Sequence, residues 1–287
     1  MLRTDNIDIL KAICAFLIVC IHVPFPGSVG AYFTALTRIA VPIFFMITGY
    51  FYSDATARHK EKQQITKIFH LSLEANILYF VWNIALGILR RDNIVTYVQK
   101  FFTGKNILKF LVLNDSPLAW HLWYLGAVFY VLVIVLLMDK FNCRRVLYYL
   151  TPILLIVDLV FGKYSLLIFH REFPYILVRN FLCVGIPYFC IGNLLRKKQC
   201  AEKWDKEVLR GLIILFAISS LVERFALVNA GLNATRDHYI STTFFAIITD
   251  KLGIKSIYSY VAPVVVYCAT LIVLISVKKF KLIFSKR

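Results

Sequence analysis

Long uninterrupted apolar segments recur along the whole chain and restrict its fold more than any other feature. Short clusters of charge separate them, and 60% of the 287 residues are hydrophobic. An α-helix needs about 20 apolar residues to cross a hydrocarbon core of about 30 Å. The apolar runs are continuous rather than alternating with period two, which disfavours an outer-membrane barrel. The sequence therefore predicts an all-α integral membrane protein.

The same segments predict where the chain crosses the membrane. We expect spans at 7–23, 31–52, 67–89, 118–138, 146–162, 173–195 and 207–229, followed by apolar pieces at 239–249 and 258–277. The piece 239–249 is too short to cross unaided, whereas 258–277 is long enough. The fold class we predict is a polytopic bundle of about 8 to 9 transmembrane helices, shortened near the C-terminus. It forms a single domain over residues 1–287.

Loop charges predict the orientation. The turn 24–30 after the first span carries no Lys or Arg, whereas the next loop carries Arg58, Lys60 and Lys62. Cytoplasmic loops gather such residues, so we expect a cytoplasmic N-terminus in a plasma (inner) membrane. The first span is expected to be a retained helix rather than a signal peptide. The basic loop 91–117 does not fit this rule and is interpreted as an amphipathic interfacial stretch.

Charge and cysteine usage disfavour several classes of function. The net charge of +17 resides in loops between spans, with no nucleic-acid reader motif, so we expect a lipid bilayer and no nucleic acid as a partner. The seven cysteines form no CxxC pair and no Cys/His metal spacing. A disulfide framework and a metal site are therefore not predicted.

Lys11 and His22 are ionisable residues on the first span. Eleven steps of an α-helix amount to about 1100°, so the two side chains point within roughly 20° of each other, about 16 Å apart along the axis. Such groups are expensive in hydrocarbon, which favours a polar cavity along this face. Read separately, Lys11 fits a snorkelling interfacial lysine and His22 a bond to a neighbouring helix. Asp8, one turn before Lys11, is a candidate ion-pair partner.

Polar residues inside later spans raise the same question. Arg38 cannot be deprotonated, so it must meet a carboxylate, backbone carbonyls, water or an anionic ligand. Arg179 and Asn180 follow in the sixth span, and Glu223 in the seventh. For Glu223, an ion pair with one of the arginines and a ligand role have equal weight.

Four further residues are harder to assign. Trp123 lies in an aromatic cluster at the start of the fourth span and fits an interfacial belt. His121 and His238 lie near the predicted outer face, where we interpret them as solvated or capping residues rather than acceptor-site groups. Asp158 lies inside the fifth span without a local partner, and the sequence assigns it no role.

The first two spans resemble the acyltransferase 3 family of bacterial membrane O-acyltransferases, which includes the membrane domain of vancomycin-resistance serine racemases. That family carries a basic residue, ten residues and a histidine, matched by Lys11 and His22. An arginine followed by V-P-x-F-F-x-x-S/T-G-Y is matched by Arg38 and VPIFFMITGY. Similarity continues through HLWYL (121–125), RNFLCVGIPYFCIG (179–192), and the VER and DHYIST pieces, to about residue 248.

The resemblance implies acyl transfer, usually of acetyl, from cytoplasmic acyl-CoA to a hydroxyl of an extracytoplasmic carbohydrate or cell-envelope glycan. It implies that acyl-CoA is a co-substrate and that the surface glycan is the acceptor. It implies no bound cofactor and no metal. His22 and Lys11 become candidate catalytic residues. The candidate donor- or substrate-binding residues are Arg38, Asp8, Trp123, Arg179, Asn180 and Glu223.

The C-terminal region departs from the family pattern. Family members usually have about ten spans and a penultimate I-H-P-like motif, where this chain has IITDKLGIKSIYSYVAP. One or two spans are expected to be missing or degenerate between 248 and 258. Two alternatives to the enzyme therefore stay open: a transporter of a sugar, lipid-linked intermediate or amino acid, and an inactive shortened relative that acts as a binding subunit.

Overall fold

The fold is helical throughout the part of the chain that the structure describes. The structure is a computed structural model, and it describes residues 2–91, 93–198, 206–234 and 238–241. These ranges contain eleven α-helices and no strand. The predicted all-α class is confirmed for them.

The helices follow one another with short connections. They are α1 (Leu2–His22), α2 (Gly27–Thr37), α3 (Ala40–Ala57), α4 (Glu61–Leu89), α5 (Ile94–Gln99), α6 (Gly104–Leu113), α7 (Trp123–Lys140), α8 (Arg144–Phe161), α9 (Ser165–Phe169), α10 (Ile186–Lys198) and α11 (Lys206–Asn229). Two short 3₁₀ turns (Trp120–Leu122 and Tyr175–Leu177) and one π turn (Phe181–Gly185) complete the regular structure.

Four helical stretches are long and apolar enough to cross a membrane. Within the described ranges they are Gly27–Ala57, Glu61–Leu89, Trp120–Lys140 and Gly211–Asn229. They correspond to the predicted spans 31–52, 67–89, 118–138 and 207–229. The total of 8 to 9 spans stays a prediction, and residues 242–249 and the piece 258–277 lie outside the described residues.

The surface of α4 supports a membrane environment. Apolar side chains such as Leu78, Trp82 and Leu89 are 67%, 59% and 79% exposed on this helix. Contiguous exposed apolar surface of this kind is rare on soluble monomers, and a lipid-facing helix explains it.

The predicted span 31–52 is interrupted, which corrects the expectation of one continuous helix. α2 ends at Thr37, Arg38 and Ile39 form a turn, and α3 starts at Ala40. Pro42 supplies the physical reason, because a proline ring lacks an N–H and clashes with the carbonyl four residues earlier, here that of Arg38.

The predicted span 173–195 is also not one helix. Its first half contains the Tyr175–Leu177 turn and the Phe181–Gly185 π turn, and only Ile186 onward is α-helical. Pro187 has no N–H for the carbonyl of Cys183, and a locally widened turn accommodates that loss. The irregular half carries Arg179 and Asn180.

The chain divides into two compact units, each continuous in space but not in sequence. The described residues of the first unit are 2–44, 206–231 and 239–241, and those of the second are 45–91, 93–198, 232–234 and 238. The prediction of a single domain over 1–287 stays a prediction, because residues 242–287 are not described.

Helices α1 and α11 both pack against α2 in the first unit. Phe25, in the connection between α1 and α2, lies edge-on to Phe33 with ring centroids 5.1 Å apart. The backbone of Phe25 is so close to Gly30 that a β-carbon there would collide with it. This close turn fixes the end of α1, which carries His22.

The second unit has a buried core between α3, α7 and α10. Tyr52, Val131 and Phe189 are at most 1% exposed there. Gly49 of α3 and Gly192 of α10 lie so close to the backbone of the opposite helix that neither site has room for a β-carbon. Small residues permit such close crossings between membrane helices.

The predicted interfacial stretch 91–117 contains α5 and α6. On α6, Leu108 and Leu111 are 62% and 59% exposed, and Lys105 is also exposed. Exposed apolar and basic side chains on one short helix are typical of an interfacial helix.

Candidate functional site

The predicted pair Lys11 and His22 lies on one continuous helix, as the spacing requires. α1 runs from Leu2 to His22, so the two side chains share a face about 16 Å apart along the axis. His22 is the last residue of the helix and is exposed. Lys11 Nζ lies 2.9 Å from Asp8 Oδ1, so the predicted ion pair is present.

The buried side of α1 is a different face. Leu10, Cys14 and Leu17 are between 0% and 8% exposed. At 100° per residue, this stripe lies roughly 100° around the helix from Lys11 and His22. The side chain of Lys11 is 40% exposed. The polar cavity expected along the Lys11–His22 face stays a prediction.

Arg38 occupies the break between α2 and α3. Arg38 directly follows Thr37, so its permanent positive charge lies where the helical hydrogen bonding is interrupted. Irregular backbone at membrane depth is tolerated only where protein buries it or where it lines a polar cavity. The predicted contact of Arg38 with an anionic ligand stays a prediction.

Glu223 of α11 binds the backbone of a later segment. Its carboxylate accepts hydrogen bonds from the amides of Ile240 (3.1 Å) and Ser241 (3.0 Å) and from the Ser241 hydroxyl. Ile240 and Ser241 begin a helical segment, so Glu223 caps free N–H groups at its start. This capping is a third possibility beside the predicted ion pair and ligand role.

Arg224, the next residue, has another partner. Its Nη1 donates to the Tyr239 hydroxyl over 3.0 Å, and its guanidinium carbon lies 5.9 Å from the centroid of the Tyr32 ring. The VER and DHYIST pieces therefore contact each other within the first unit. Their spacing alone, about 15 residues, did not predict these partners.

The predicted residues Trp123 and Arg179 lie together in the second unit. The guanidinium of Arg179 is 4.8 Å from the Trp120 ring, 4.9 Å from the Trp123 ring and 4.8 Å from the Tyr175 ring. Arg179 Nη2 also donates to the Trp120 carbonyl over 2.8 Å. Cation–π contacts of this kind fasten the irregular segment to the start of α7.

Asn180 uses its whole hydrogen-bonding capacity on nearby backbone. Its Oδ1 accepts from the amides of Leu182 and Cys183, both at 2.9 Å. Its Nδ2 donates to the carbonyls of Ile176 (3.0 Å) and Leu177 (2.9 Å). An amide offers two donors and one carbonyl oxygen with two lone pairs. Asn180 thus shapes the π turn, while its predicted substrate contact stays a prediction.

A buried ion pair joins Asp158 and His238, two residues that the sequence could not connect. His238 Nδ1 lies 2.8 Å from Asp158 Oδ2, and both side chains are 5% exposed. The interpretation of His238 as solvated is wrong, because the loop folds this residue inward. Eighty positions separate the partners, so no local pattern could reveal the pair.

Lys163 holds the same loop. Its Nζ donates to the carbonyl of Ala234 over 2.8 Å and lies 3.4 Å from Asn233 Oδ1. Lys163 is 3% exposed. Sequence reasoning missed it, because a lysine between two helices resembles any loop cation.

Metal-ligating groups do not cluster in the described ranges. No group of three His, Cys, Asp or Glu side chains there could hold a metal ion. The described cysteines Cys14, Cys20, Cys143, Cys183 and Cys190 are all free thiols.

Comparison with known proteins extends the resemblance to nearly the whole chain. The profile of the acyltransferase 3 family, described as an acyltransferase domain, matches residues 4–287. An amino-acid racemase of Enterococcus faecalis is 27% identical over 200 residues. The match covers 66% of this chain and 25% of that racemase, so the chain spans about a quarter of this relative's length. No solved structure matches.

The family match covers the segments that carry the predicted site residues. The profile match includes α1 with its Lys11–His22 spacing, the broken segment at Arg38 and the irregular segment at Asn180. The apolar helices fit the membrane setting of such proteins. The chain belongs to the acyltransferase 3 family of membrane acyltransferases.

Proposed function

We propose that the protein is a membrane O-acyltransferase of the plasma (inner) membrane with a cytoplasmic N-terminus. It transfers an acyl group, in the first instance acetyl, from cytoplasmic acyl-CoA to a hydroxyl of an extracytoplasmic carbohydrate or cell-envelope glycan. Acyl-CoA is a co-substrate in this proposal, and no bound cofactor is required.

The observation that carries the proposal is the polar face of α1. One helix holds an imidazole at its end and an ammonium group eleven residues earlier. Histidine has a pKa suited to general-base catalysis near neutral pH. Ionisable side chains on a helix that crosses hydrocarbon mark a candidate functional site, and Lys11 and His22 share one face of α1.

In the proposed reaction His22 takes the proton of the acceptor hydroxyl. The hydroxyl oxygen attacks the thioester carbonyl, the new ester C–O bond forms and the C–S bond breaks. The thiolate of coenzyme A leaves and accepts a proton, so that one ester and one free thiol are produced. Histidine catalysis of this kind contributes typically 10²- to 10⁴-fold in rate.

Lys11 and Arg38 supply fixed positive charge for the donor. The pyrophosphate and 3′-phosphate of coenzyme A are anions that form strong charge-assisted hydrogen bonds with such cations. The separation of about 16 Å between Lys11 and His22 is comparable to an extended pantetheine arm. Asp8 holds the Lys11 ammonium over 2.9 Å and so orients it.

In this proposal the remaining predicted residues, Trp123, Arg179, Asn180 and Glu223, are donor- or substrate-binding residues. Trp123 and Arg179 form part of an aromatic cluster, and Asn180 fixes the π turn beside it. Glu223 fixes the segment that starts at Ile240. We assign these four residues to substrate binding through the surfaces that they hold in place.

Mass spectrometry of surface glycans tests the proposed activity. Cells that produce the protein and cells that lack it are compared for O-acetyl content. We expect acetylated glycan only where the protein is present, and complementation should restore it. Identical acetylation in both strains contradicts the proposal.

A second candidate function follows from the named relative. The name of this relative, an amino-acid racemase, makes an amino acid the candidate cargo of a transporter that moves it without chemistry. Purified protein distinguishes the two candidates. Binding of acyl-CoA supports the transferase, whereas uptake of a labelled amino acid into vesicles together with no acyl-CoA binding supports the transporter.

A further inference from the structure

A cluster of cations lies at one end of the second unit, where α3 and α7 end and α8 begins. α10 also ends there. Its members are Arg144, Arg196 and Lys197, with the phenol of Tyr148 between Arg144 and Lys197. None of these residues is among the predicted site residues.

Arg196 is fully paired within this cluster. Its Nε and Nη2 donate to Asp54 Oδ1 over 2.9 and 2.8 Å, and its Nη1 donates to the Tyr50 hydroxyl over 3.4 Å. The pKa of Arg196 is accordingly raised, chiefly by the hydrogen bond with Asp54. Arg196 therefore has no need of an external anion.

Arg144 is only half paired. Its Nη1 lies 3.1 Å from Asp139 Oδ2, and the side chain is 14% exposed. Its Nη2 is buried and has no hydrogen-bond partner among the described residues. A buried charged donor without a partner is expensive, so an acceptor at this position is favoured.

Lys197 adds a second charge next to Arg144. Its Nζ donates to the Tyr148 hydroxyl over 3.3 Å, and the residue is exposed. In the described part of the chain no carboxylate lies within ion-pair distance of it. The pKa of Lys197 is lowered, first by partial burial and then by the positive charge of Arg144. Two neighbouring cations that repel each other gain from an anion bound between them.

Tyr148 holds the two cations in place and is not itself a donor to the ligand. Its hydroxyl donates to Asn193 Oδ1 over 2.8 Å, which holds the ring in place. Asn193 is fully buried and is itself fixed by donating to the carbonyl of Gly49 over 3.0 Å. The guanidinium presents a planar fork and the ammonium a point charge, and both bind phosphate.

We infer that Arg144, Tyr148 and Lys197 form a phosphate-binding site, with Arg144 Nη2 and Lys197 Nζ as the donors. The predicted topology places this end of the second unit in the cytoplasm, where the basic residues concentrate. The phosphate then belongs either to the nucleotide end of coenzyme A or to an anionic lipid headgroup. Assigning it to coenzyme A rests on the proposed function, whereas the phosphate site itself does not.

The test measures binding of coenzyme A to purified protein in nanodiscs of neutral phosphatidylcholine. Lys197→Gln and Arg144→Gln are compared with the wild type, and Lys197→Arg is the conservative variant. Lys62→Gln is the matched control, because it removes an exposed lysine of α4 that is outside the cluster. A second arm replaces coenzyme A with its 3′-dephospho form, and a third uses nanodiscs that contain phosphatidylglycerol.

We expect Lys197→Gln and Arg144→Gln to weaken coenzyme A binding about tenfold or more, since each removes a charged hydrogen bond. Lys197→Arg should retain most of the affinity, and Lys62→Gln should change it less than about twofold. If Arg144→Gln does not fold, Lys197→Gln decides, because that side chain is exposed and makes one hydrogen bond.

The remaining outcomes separate the site from the proposed function. Enrichment of phosphatidylglycerol that depends on Lys197 and Arg144, without coenzyme A binding, supports the phosphate site but assigns it to a lipid. Wild-type binding of coenzyme A that is unchanged in both variants overturns the assignment of the phosphate to coenzyme A and leaves the proposed function intact. If neither coenzyme A binding nor phosphatidylglycerol binding depends on these two residues, the inference is overturned.

Discussion

Two ion pairs in this molecule have opposite characters. Asp8 and Lys11 are three residues apart on α1, 2.9 Å from each other, with side chains 68% and 40% exposed. Asp158 and His238 are eighty residues apart, 2.8 Å from each other, with both side chains 5% exposed. The distances are alike, but the surroundings are not.

The difference separates residues that are available for chemistry from residues that hold the fold. An exposed i,i+3 pair contributes little to stability, because water screens it and its side chains lose entropy. Removing one partner of a buried pair strongly destabilises the protein, because the other charge then stays buried without that partner. The α1 pair belongs to the proposed function, and we expect the Asp158 pair to stabilise the fold.

The largest effect on stability is expected from Asp158→Ala. We predict a loss of about 3 kcal/mol in the free energy of unfolding, because His238 keeps its burial and loses its partner. Denaturation in mixed micelles measures this loss. A double-mutant cycle with His238→Ala should give a strong coupling between the two sites. Additive losses would contradict a direct pair.

A smaller loss is expected from Asn180→Ala. Removing the amide takes one hydrogen bond from each of four backbone groups of the irregular segment, and we predict a loss of about 2 kcal/mol. Asn106→Ala is the control, because it removes side-chain hydrogen bonds to the carbonyls of Lys100 (2.9 Å) and Phe101 (3.4 Å) near the start of α6. The same micelle denaturation compares the two variants. Equal losses would mean that the π turn does not depend on Asn180.

The smallest effect is expected from Asp8→Ala. The pair with Lys11 is exposed, so we predict a change below about 0.5 kcal/mol in the free energy of unfolding. Under the proposed function this variant still weakens the donor site, because Lys11 loses its orienting partner. A loss of stability as large as that of Asp158→Ala would erase the distinction between the two pairs.

Local patterns made the first pair predictable from sequence. Helical periodicity placed Asp8, Lys11 and His22 on one helix, and hydropathy identified the helical class. The breaks at Arg38 and before Ile186 follow from Pro42 and Pro187, which the span prediction did not take into account.

Contacts distant in sequence were not predictable by the same means. His238 contacts Asp158, and Glu223 accepts hydrogen bonds from the amides of Ile240 and Ser241. Lys197 lies beside Tyr148. Each depends on how loops return to earlier helices, and periodicity carries no information about that. The amino-acid sequence shows the charge and polarity of the residues at these positions, but it does not show which residues they contact.

The most direct test of the central claim is the O-acetyl content of surface glycans in cells that produce His22→Ala. The comparison uses equal amounts of wild-type and variant protein in the membrane and confirms an unchanged free energy of unfolding. We predict a fall in the initial rate of acetylation of at least about 100-fold, the contribution expected of a general base. Acetylation at the wild-type rate would contradict the catalytic role of His22 and with it the account of α1.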